Sequence, residues 1–263
     1  MIRLFVEGIG LRAPGLEGWD ASAPILAGQA PYVEAPLSLP PSPLLPAAER
    51  RRAPQIVRLA LSTGTEALAA ANRAPEDVAT IFTSSGGDGD TIHNILSTLA
   101  TEQRELSPTR FHNSVHNAAA GYWSIATGAT APSTSLCAHD GSFAAGLLEA
   151  AAQAMARPVV LIAYDVPYPA PLSGVRPISA VFGVALMLSP TQGPAALARL
   201  DLALQPEAAP TPAPPALEPL RNAAPAAQSL PLLAALASGM AHKITLGYLP
   251  GMSLCLHISP AAA

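Results

Sequence analysis

The sequence predicts an α/β fold layered as helix, sheet, helix. The almost wholly apolar run at 158–165 is typical of a central strand that is covered on both faces. Residues 54–72 repeat apolar side chains at helical spacing, and segments of these two kinds alternate along the chain. Because no shift in composition marks a boundary, we predict one domain over residues 1–263.

The elements of the first half are predicted from periodicity and from breaks at glycine and proline. The N-terminal strand is followed by a long, mostly irregular excursion at 13–47 that is rich in proline and glycine. The predicted elements are a strand at Ile2–Leu11, a helix at 54–72, a buried strand at 77–83, and helices at Thr91–Glu102 and His116–Thr127.

The second half is predicted to continue with a short strand, a sharp turn and an alanine-rich helix over Ala131–Ala150. Residues 205–226 carry many prolines and alanines and are predicted to be a linker or surface loop. The remaining elements are predicted strands at 158–165, 181–189 and 198–204, a helix at Pro231–Met240, and strands at Lys243–Tyr248 and Ser253–Ile258.

Composition excludes several classes of function. Charged residues make up only 12% of the chain, the formal net charge is −4, and no arginine-rich arm is present, which argues against a nucleic-acid partner. The low charge and the positive mean hydropathy of +0.32 indicate an apolar surface that a partner subunit could cover. We therefore expect a protein partner, and no nucleic acid.

The two cysteines, Cys137 and Cys255, are too few for a disulfide framework or a zinc site. The N-terminus lacks the pattern of a signal peptide, and no run of eighteen apolar residues predicts a membrane span. These observations predict a soluble, cytoplasmic protein without a bound metal or cofactor.

The strand, turn and helix of Ala131–Ala150 are the most informative segment for function. Many acyl-transfer enzymes place a nucleophile at such an elbow, where the helix N-terminus lowers a thiol pKa and stabilises an oxyanion. Here the elbow position carries Asp140, which we interpret as an N-cap of the following helix. Cys137 lies three residues earlier, and we expect it to be a buried, structural thiol. A catalytic role of Cys137 is the alternative.

Other motifs give weaker predictions. His112 and His116 are four residues apart, but no third ligand stands at a suitable spacing, so we expect them to cap a helix or line an interface. The SSGGDGD segment at Ser84–Asp90 lacks the lysine of a phosphate-binding loop and has two aspartates that would repel phosphate, so it is predicted to be a turn. No Gly-x-Ser-x-Gly motif supports a serine hydrolase.

Several strings, taken in order, resemble the N-terminal half of a β-ketoacyl synthase, a thiolase-like condensing enzyme. These are RLALSTGTEALAAA, DVATIFTSSGGDGDTI, HNAAAGYWSIATGATAPSTSL and GVALMLS, which together span about residues 50–190. The resemblance implies a thiolase-like half-fold with a mixed sheet. In that family the elbow carries a cysteine at the helix N-terminus, whereas matching Gly141 and Ser142 to the residues after the nucleophile puts Asp140 in its place.

The resemblance also implies two histidines in a second thiolase-like half, which this chain ends too early to include. Neither His242 nor His257 lies in a glycine-rich string like those of the family. Without nucleophile and histidines, the chain is similar to the ketosynthase-like chain length factors, and in its short length to those of aryl polyene biosynthesis. That likeness implies a non-catalytic subunit that forms a heterodimer with a catalytic ketosynthase and meets an acyl carrier protein indirectly.

The resemblance further implies that the strand at Ser133–Cys137, including Ser135, pairs with its counterpart across a two-fold-like axis. Asp140 would stand beside that seam. Bulky side chains would cap the product tunnel, and we expect these to be Phe111, Phe143, Tyr122 and Trp123. Two alternatives remain open: a truncated acyltransferase or ketosynthase with Cys137 as nucleophile, and a homodimeric acyl-binding module.

Overall fold

A computed structural model of the chain describes residues 1–102 and 104–261. Within these residues the strands are β1 Ile2–Ala13, β2 Leu16–Glu17, β3 Ala79–Thr83, β4 Ser133–Leu136, β5 Val159–Asp165, β6 Phe182–Ser189, β7 Ala198–Pro206, β8 His242–Leu249 and β9 Met252–Pro260. The α-helices are α1 Trp19–Leu26, α2 Ala47–Arg52, α3 Gln55–Ala70, α4 Gly89–Leu99, α5 Pro108–Asn113, α6 Ala118–Thr127, α7 Ser142–Ala154, α8 Leu172–Val175, α9 Glu218–Ala223 and α10 Leu230–Ser238.

The strands form one mixed sheet in the order β4-β3-β5-β6-β1-β7-β9-β8, and β2 pairs with β1. β3 runs parallel to β4 and β5, and the other pairs are antiparallel. Thr83 lies opposite Leu136 on one side and Ala163 on the other. The carboxyl ends of β3, β4 and β5 therefore lie side by side, and the segments that follow these three strands meet there.

Helices cover both faces of the sheet, as predicted. In β5 all seven residues are buried, and alternate side chains point to opposite faces. Leu161 packs in the cluster that contains Phe143 and Leu147 of α7, whereas Ile162 packs in the cluster that contains Ile56 of α3. The α/β class and the helix–sheet–helix layering are thus confirmed.

Helix α3 lies unusually close to β1. A Cβ atom at Gly8 or Gly10 would lie 2.2 or 2.0 Å from the carbonyl oxygen of Ala67 or Thr63, respectively. Only glycine lets the helix backbone approach the strand to this distance. These two glycines of β1 therefore determine how closely α3 packs on the sheet.

Three predictions of local structure need correction. The excursion at 13–47 contains β2 and α1, which periodicity missed because α1 is short and has Pro24 inside it. Helix α5 was also missed. Residues 205–226, predicted as a linker or loop, include the end of β7, a 3-10 turn and α9, and Leu217 and Leu220 are buried. Pro215 and Pro219 stand at the first positions of these helical turns, where proline is tolerated.

No helix in the ranges that the structure describes is long and apolar enough to cross a membrane.

Candidate functional site: a strand-to-helix elbow without a thiol

The elbow joins β4 to α7 through a 3-10 turn at His139–Gly141. His139 has a φ of +52°, in the left-handed region that is uncommon for residues other than glycine. The Oγ of Ser142 accepts a hydrogen bond from the Ala138 amide at 3.0 Å and donates one to the His139 carbonyl oxygen at 2.7 Å. Ser142 therefore fixes the turn from inside the helix.

Asp140 does not cap α7, contrary to the prediction. The N-cap position belongs to Gly141, and no side chain accepts a hydrogen bond there. The carboxylate of Asp140 points outward with 70% of its side chain exposed, and its Oδ1 lies 2.7 Å from Nη2 of Arg176. The prediction failed because the 3-10 turn, with Ser142 satisfying its backbone groups, turns Asp140 away from the first-turn amides.

Arg176 connects the elbow to the buried end of the neighbouring strands. Its Nη2 also donates to Oγ of Ser85 at 2.7 Å, and the Ser85 amide donates to Oδ1 of Asp165 at 2.8 Å. The other carboxylate oxygen of Asp165, Oδ2, accepts a hydrogen bond from the Ala226 amide at 2.7 Å. One polar chain therefore runs from Asp140 on the surface to Asp165 at the end of β5.

Asp165 is almost completely buried, and burial raises the pKa of its carboxyl to about 6. Hydrogen bonds from the amides of Ser85 and Ala226 and from the Ser84 hydroxyl, together with the charge of Arg176, partly offset this rise. The carboxylate is thus ionised at neutral pH, and it holds the turn after β3 and the 3-10 turn Pro225–Ser229 to the end of β5.

The hairpin of β8 and β9 packs directly on the elbow. A Cβ atom at Gly141 would lie 2.2 Å from the Tyr248 carbonyl oxygen, so only glycine fits at this position. Beside this contact lies an open cleft of about 890 Å³, whose lining includes Asp140, Arg176, Gln228 and Met252. Both charged partners of the elbow ion pair therefore face this cleft.

Cys137 is exposed, contrary to the expectation of a buried structural thiol. β4 ends at Leu136, one residue earlier than predicted, and it lies at the edge of the sheet, where only one side is covered. The buried thiol is that of Cys255 in β9. Within the described residues, no group of three or more His, Cys, Asp and Glu side chains could hold a metal ion.

The free edge of β4 is flanked by a groove of small residues. Within the described residues β4 pairs with β3 alone, and the hydroxyl of Thr80 donates to Oγ of Ser133 at 2.8 Å. This groove, which we call the α6 groove, has a volume of about 430 Å³. Its lining residues all have small or short polar side chains: Asn117, Ala120, Gly121, Ser124, Ser133 and Ser135. The predicted seam residues Ser133 and Ser135 thus lie together with the exposed side of α6.

The four bulky side chains predicted at the tunnel do not lie together. Phe143 is buried against one face of the sheet, whereas Tyr122 and Trp123 are buried on the other face. Phe111 in α5 is 64% exposed. The prediction grouped these residues by size alone, and the alternation of faces, which separates them, follows only from the tertiary fold.

Several exposed apolar side chains stand on α4 and α5 and just after α5. Helices α4 and α5 contact each other, and Leu96 and Leu99 of α4, Phe111 of α5 and Val115 are exposed. Single exposed apolar residues are ordinary, but such a set on adjoining helices is typical of an interaction surface.

The remaining motifs have structural roles. His116 Nε2 donates to the Ser84 carbonyl oxygen at 3.1 Å, and the ring of His112 contacts that of Tyr122 edge to face. In the SSGGDGD turn, Asp88 accepts a hydrogen bond from the Thr91 amide at 3.1 Å and caps α4. The interpretation of this segment as a turn is confirmed.

Sequence reasoning did not identify Arg176, Ser85 or Asp165. A carboxylate that directly follows a buried apolar strand is the one available signal for Asp165, because such a group needs partners at the strand end. Arg176 lies in a proline-rich loop, and nothing in the sequence indicates that it reaches the elbow.

The fold and the elbow together define a ketosynthase-like protein of the thiolase type. The family model described as "Beta-ketoacyl synthase, N-terminal domain" matches residues 26–246, so the chain belongs to this family. A comparison with curated proteins gave no significant match.

Among solved structures, the chain is similar to one of "Ketosynthase (ApeO) in Complex with its Chain Length Factor (ApeC) from Xenorhabdus doucetiae", with 25% identity and a TM-score of 0.74 over 98% of this chain and 100% of that one. It also resembles a chain of the ishigamide ketosynthase/chain length factor, with 16% identity and a TM-score of 0.71 over 100% of both chains.

A third similar structure is a type II polyketide synthase acyl-carrier protein in complex with its ketosynthase (AntDE:AntF), with 14% identity and a TM-score of 0.77 over 99% of both chains. The second and third likenesses concern the fold alone.

Proposed function

We propose that this chain is a non-catalytic, ketosynthase-like subunit, a chain length factor, that pairs with a catalytic ketosynthase in polyketide or aryl polyene chain elongation. The observation that carries the proposal is the elbow. By the resemblance of the elbow strings, Asp140 stands where the family has a nucleophilic cysteine, and its carboxylate is engaged with Arg176. A carboxylate is a poor acyl carrier, because the mixed anhydride that it would form hydrolyses readily.

The surface of the chain supports a partner subunit. β4 offers unpaired backbone groups along the free edge of the sheet, and such an edge is normally covered or paired. The small side chains of the α6 groove would allow a second chain to approach the edge closely. α5 lies beside α6, because the Tyr122 hydroxyl donates to Oδ1 of Asn113, and the exposed Phe111 of α5 would extend the contact. The similar ketosynthase–chain length factor complex supports a partner subunit of this kind.

The proposal is tested by co-expressing the chain with a ketosynthase and measuring the mass of the purified complex by size exclusion with light scattering. We expect a one-to-one heterodimer that extends an acyl primer with malonyl units, releasing carbon dioxide at each condensation, whereas this chain alone shows no condensation. Substitution of the ketosynthase's own nucleophile should abolish activity, but Asp140→Ala in this chain should leave it largely intact. Malonyl-dependent elongation by this chain alone would refute the proposal.

The exposure of Cys137 keeps one alternative open, a truncated acyltransferase or ketosynthase with this thiol as its nucleophile. An activated nucleophile reacts with an acyl-mimetic electrophile much faster than a free cysteine does. We expect a rate for Cys137 close to that of a small thiol, and no loss of heterodimer activity in Cys137→Ser. A homodimer, the other alternative, would show twice the monomer mass without a ketosynthase.

A further inference from the structure

One wall of the cleft beside the elbow is attached to the end of β5 through Asp165. This wall is formed by the end of α9 and the 3-10 turn Pro225–Ser229. The Ala226 amide of the wall donates to Oδ2 of Asp165 at 2.7 Å, and the Ala223 carbonyl oxygen accepts from the Ser179 amide at 2.9 Å. The wall is therefore held at one point by a carboxylate and at another by the backbone of the segment before β6.

The Asp165 carboxylate is almost completely buried, and its hydrogen-bond partners in the described ranges are neutral groups. They are the amides of Ser85 and Ala226 and the hydroxyl of Ser84. The guanidinium of Arg176 donates to Oγ of Ser85 and reaches the carboxylate only through this side chain. Burying an ionised carboxylate without a cation in contact costs free energy, and neutral donors offset only part of that cost. The attached wall therefore favours the protonated form of Asp165.

The other charged or titratable groups around Asp165 come from its own strand, the following loop, the elbow and the segment before α6. The turn Pro225–Ser229 and the adjoining ends of β3 and β6 carry uncharged side chains. The groups are Tyr164 before it in β5, Tyr168 and Arg176 in the loop, Asp140 in the elbow behind Arg176, and His116 behind the Ser84 carbonyl oxygen. Burial raises the pKa of both tyrosines, which keeps them neutral, so Arg176 is the group of this set that offsets the charge of Asp165.

We infer that Asp165 is a pH-sensitive latch of the cleft wall: ionisation of its carboxylate eases the release of the turn Pro225–Ser229 from the end of β5, so the cleft opens more often as pH rises. In the open state water reaches the carboxylate and removes the cost of its charge. The closed state then binds the proton more tightly than the open state, which stabilises it at low pH, and this stabilisation is lost as pH rises. The raised pKa of Asp165 agrees with this direction. The latch belongs to the isolated chain and does not depend on a ketosynthase partner.

Hydrogen–deuterium exchange at pH 5 and pH 8 tests the inference, because the Ala226 amide exchanges only after its hydrogen bond to Asp165 opens. After correction for the intrinsic change of exchange rate with pH, the opening constant of the segment around Ala226 should rise about tenfold from pH 5 to pH 8 in the natural chain. In Asp165→Asn the opening constant should be the same at both pH values. Peptides from β6 report global unfolding in the same sample, and we expect them to be much better protected than the wall.

Arg176→Gln separates an electrostatic role of the cluster from a purely structural one. This variant removes a positive charge that favours the ionised carboxylate, so opening should increase at pH 8 and change little at pH 5. Glu207→Gln is the matched control, because Glu207 lines the same cleft and is exposed. Histidine can also change charge in this pH range, so His116→Gln is a second control. Both controls should keep the pH dependence of the natural chain.

An unchanged pH dependence in Asp165→Asn, or its loss in either control, would assign the effect to another group and overturn the inference. Equal protection of the wall and of β6 would also overturn it, because exchange would then report global unfolding alone. If Asp165→Asn does not fold, Arg176→Gln decides the question, since an equal change at both pH values would show that the cluster has only a structural role.

Discussion

At the scale of single residues, Asp165 is the most constrained polar group of the candidate site. Its carboxylate joins the turn after β3, the end of β5 and the 3-10 turn at Pro225–Ser229 within hydrogen-bond distance. Such a buried group stabilises a fold only while its partners are in place. The elbow's Asp140 differs in this respect, because its carboxylate is 70% exposed, although the side chain of its partner Arg176 is only 22% exposed, and the ion pair should contribute no more than about 1 kcal/mol.

The raised pKa of Asp165 makes stability depend on pH. The pKa of the carboxyl is about 6 in the folded chain and near 3.8 in the unfolded chain, so the folded chain binds the proton more tightly. The stability that this proton binding adds to the fold is fully present below pH 3.8 and is lost as pH rises through about 6. The difference corresponds to about 3 kcal/mol. Asp165→Asn has no carboxyl to ionise, so its free energy of unfolding should not fall in this way. Relative to the natural chain, the free energy of unfolding of the variant should therefore rise by roughly that amount between pH 4 and pH 7.

Urea unfolding at several pH values measures this gain. Asparagine loses the hydrogen bond from the Ala226 amide, which lowers the stability of the variant by a constant amount at every pH. The prediction therefore concerns only the change with pH, and parallel stability curves for the two proteins would contradict it.

Gly141 gives a second prediction at this scale. An added methyl group would meet the Tyr248 carbonyl oxygen at 2.2 Å, and this backbone atom can move only if the β8–β9 hairpin shifts. Gly141→Ala should therefore lower the free energy of unfolding by about 1–3 kcal/mol. Gly174→Ala is the control, since nothing lies within 4 Å of that position, and chemical denaturation of both variants separates the contact from a general effect of alanine. An equal effect at both positions would exclude the close contact.

At the scale of elements, periodicity identified those that dominate the core. β5 and α3 could be predicted because one is an unbroken apolar run and the other has a regular apolar stripe. α1 and α9 could not, because they are short and contain proline. The elbow was located from its strand, turn and helix, but the direction of Asp140 depends on the 3-10 turn and on Arg176, which is distant in sequence.

Partner binding can be tested at the α6 groove, because a substitution there need not disturb the core. Gly121 lies in this groove with nothing within 4 Å of an added Cβ atom, so a larger side chain there should not destabilise the isolated chain. Gly121→Leu should nevertheless obstruct close approach to β4 and weaken heterodimer formation at least tenfold, as measured by analytical ultracentrifugation. The matched control is Gly174→Leu, and unimpaired pairing of Gly121→Leu would exclude the groove from the interface.

At the scale of the whole molecule, the sheet ends differently on its two sides. At the far edge, β8 is partly covered, because Thr211 exchanges hydrogen bonds with Thr245 through its amide and its hydroxyl. At the near edge, β4 (Ser133–Leu136) contains no charged side chain, and no strand in the described ranges pairs with its outer side. Natural sheets normally protect exposed edges with charge, proline or a covering loop. The asymmetry therefore favours assembly through β4.

The two cysteines provide a direct measurement of that assembly. Cys137 follows β4 and is exposed, whereas Cys255 is buried in β9. In the isolated chain, a maleimide should therefore modify one thiol quickly and the other only after unfolding. In the heterodimer, a chain paired along β4 should cover Cys137 and slow its modification at least tenfold.

Mass spectrometry of peptides from the native, paired and denatured protein distinguishes the two sites. Cys137→Ser removes the fast reaction and identifies its source, and denatured protein shows that both thiols can react. Equally fast modification of Cys137 in a verified heterodimer would place the interface elsewhere, and the β4 edge would then need another cover. Protection of Cys137 together with normal elongation by Cys137→Ser would show that this thiol lies at a seam and takes no part in the chemistry.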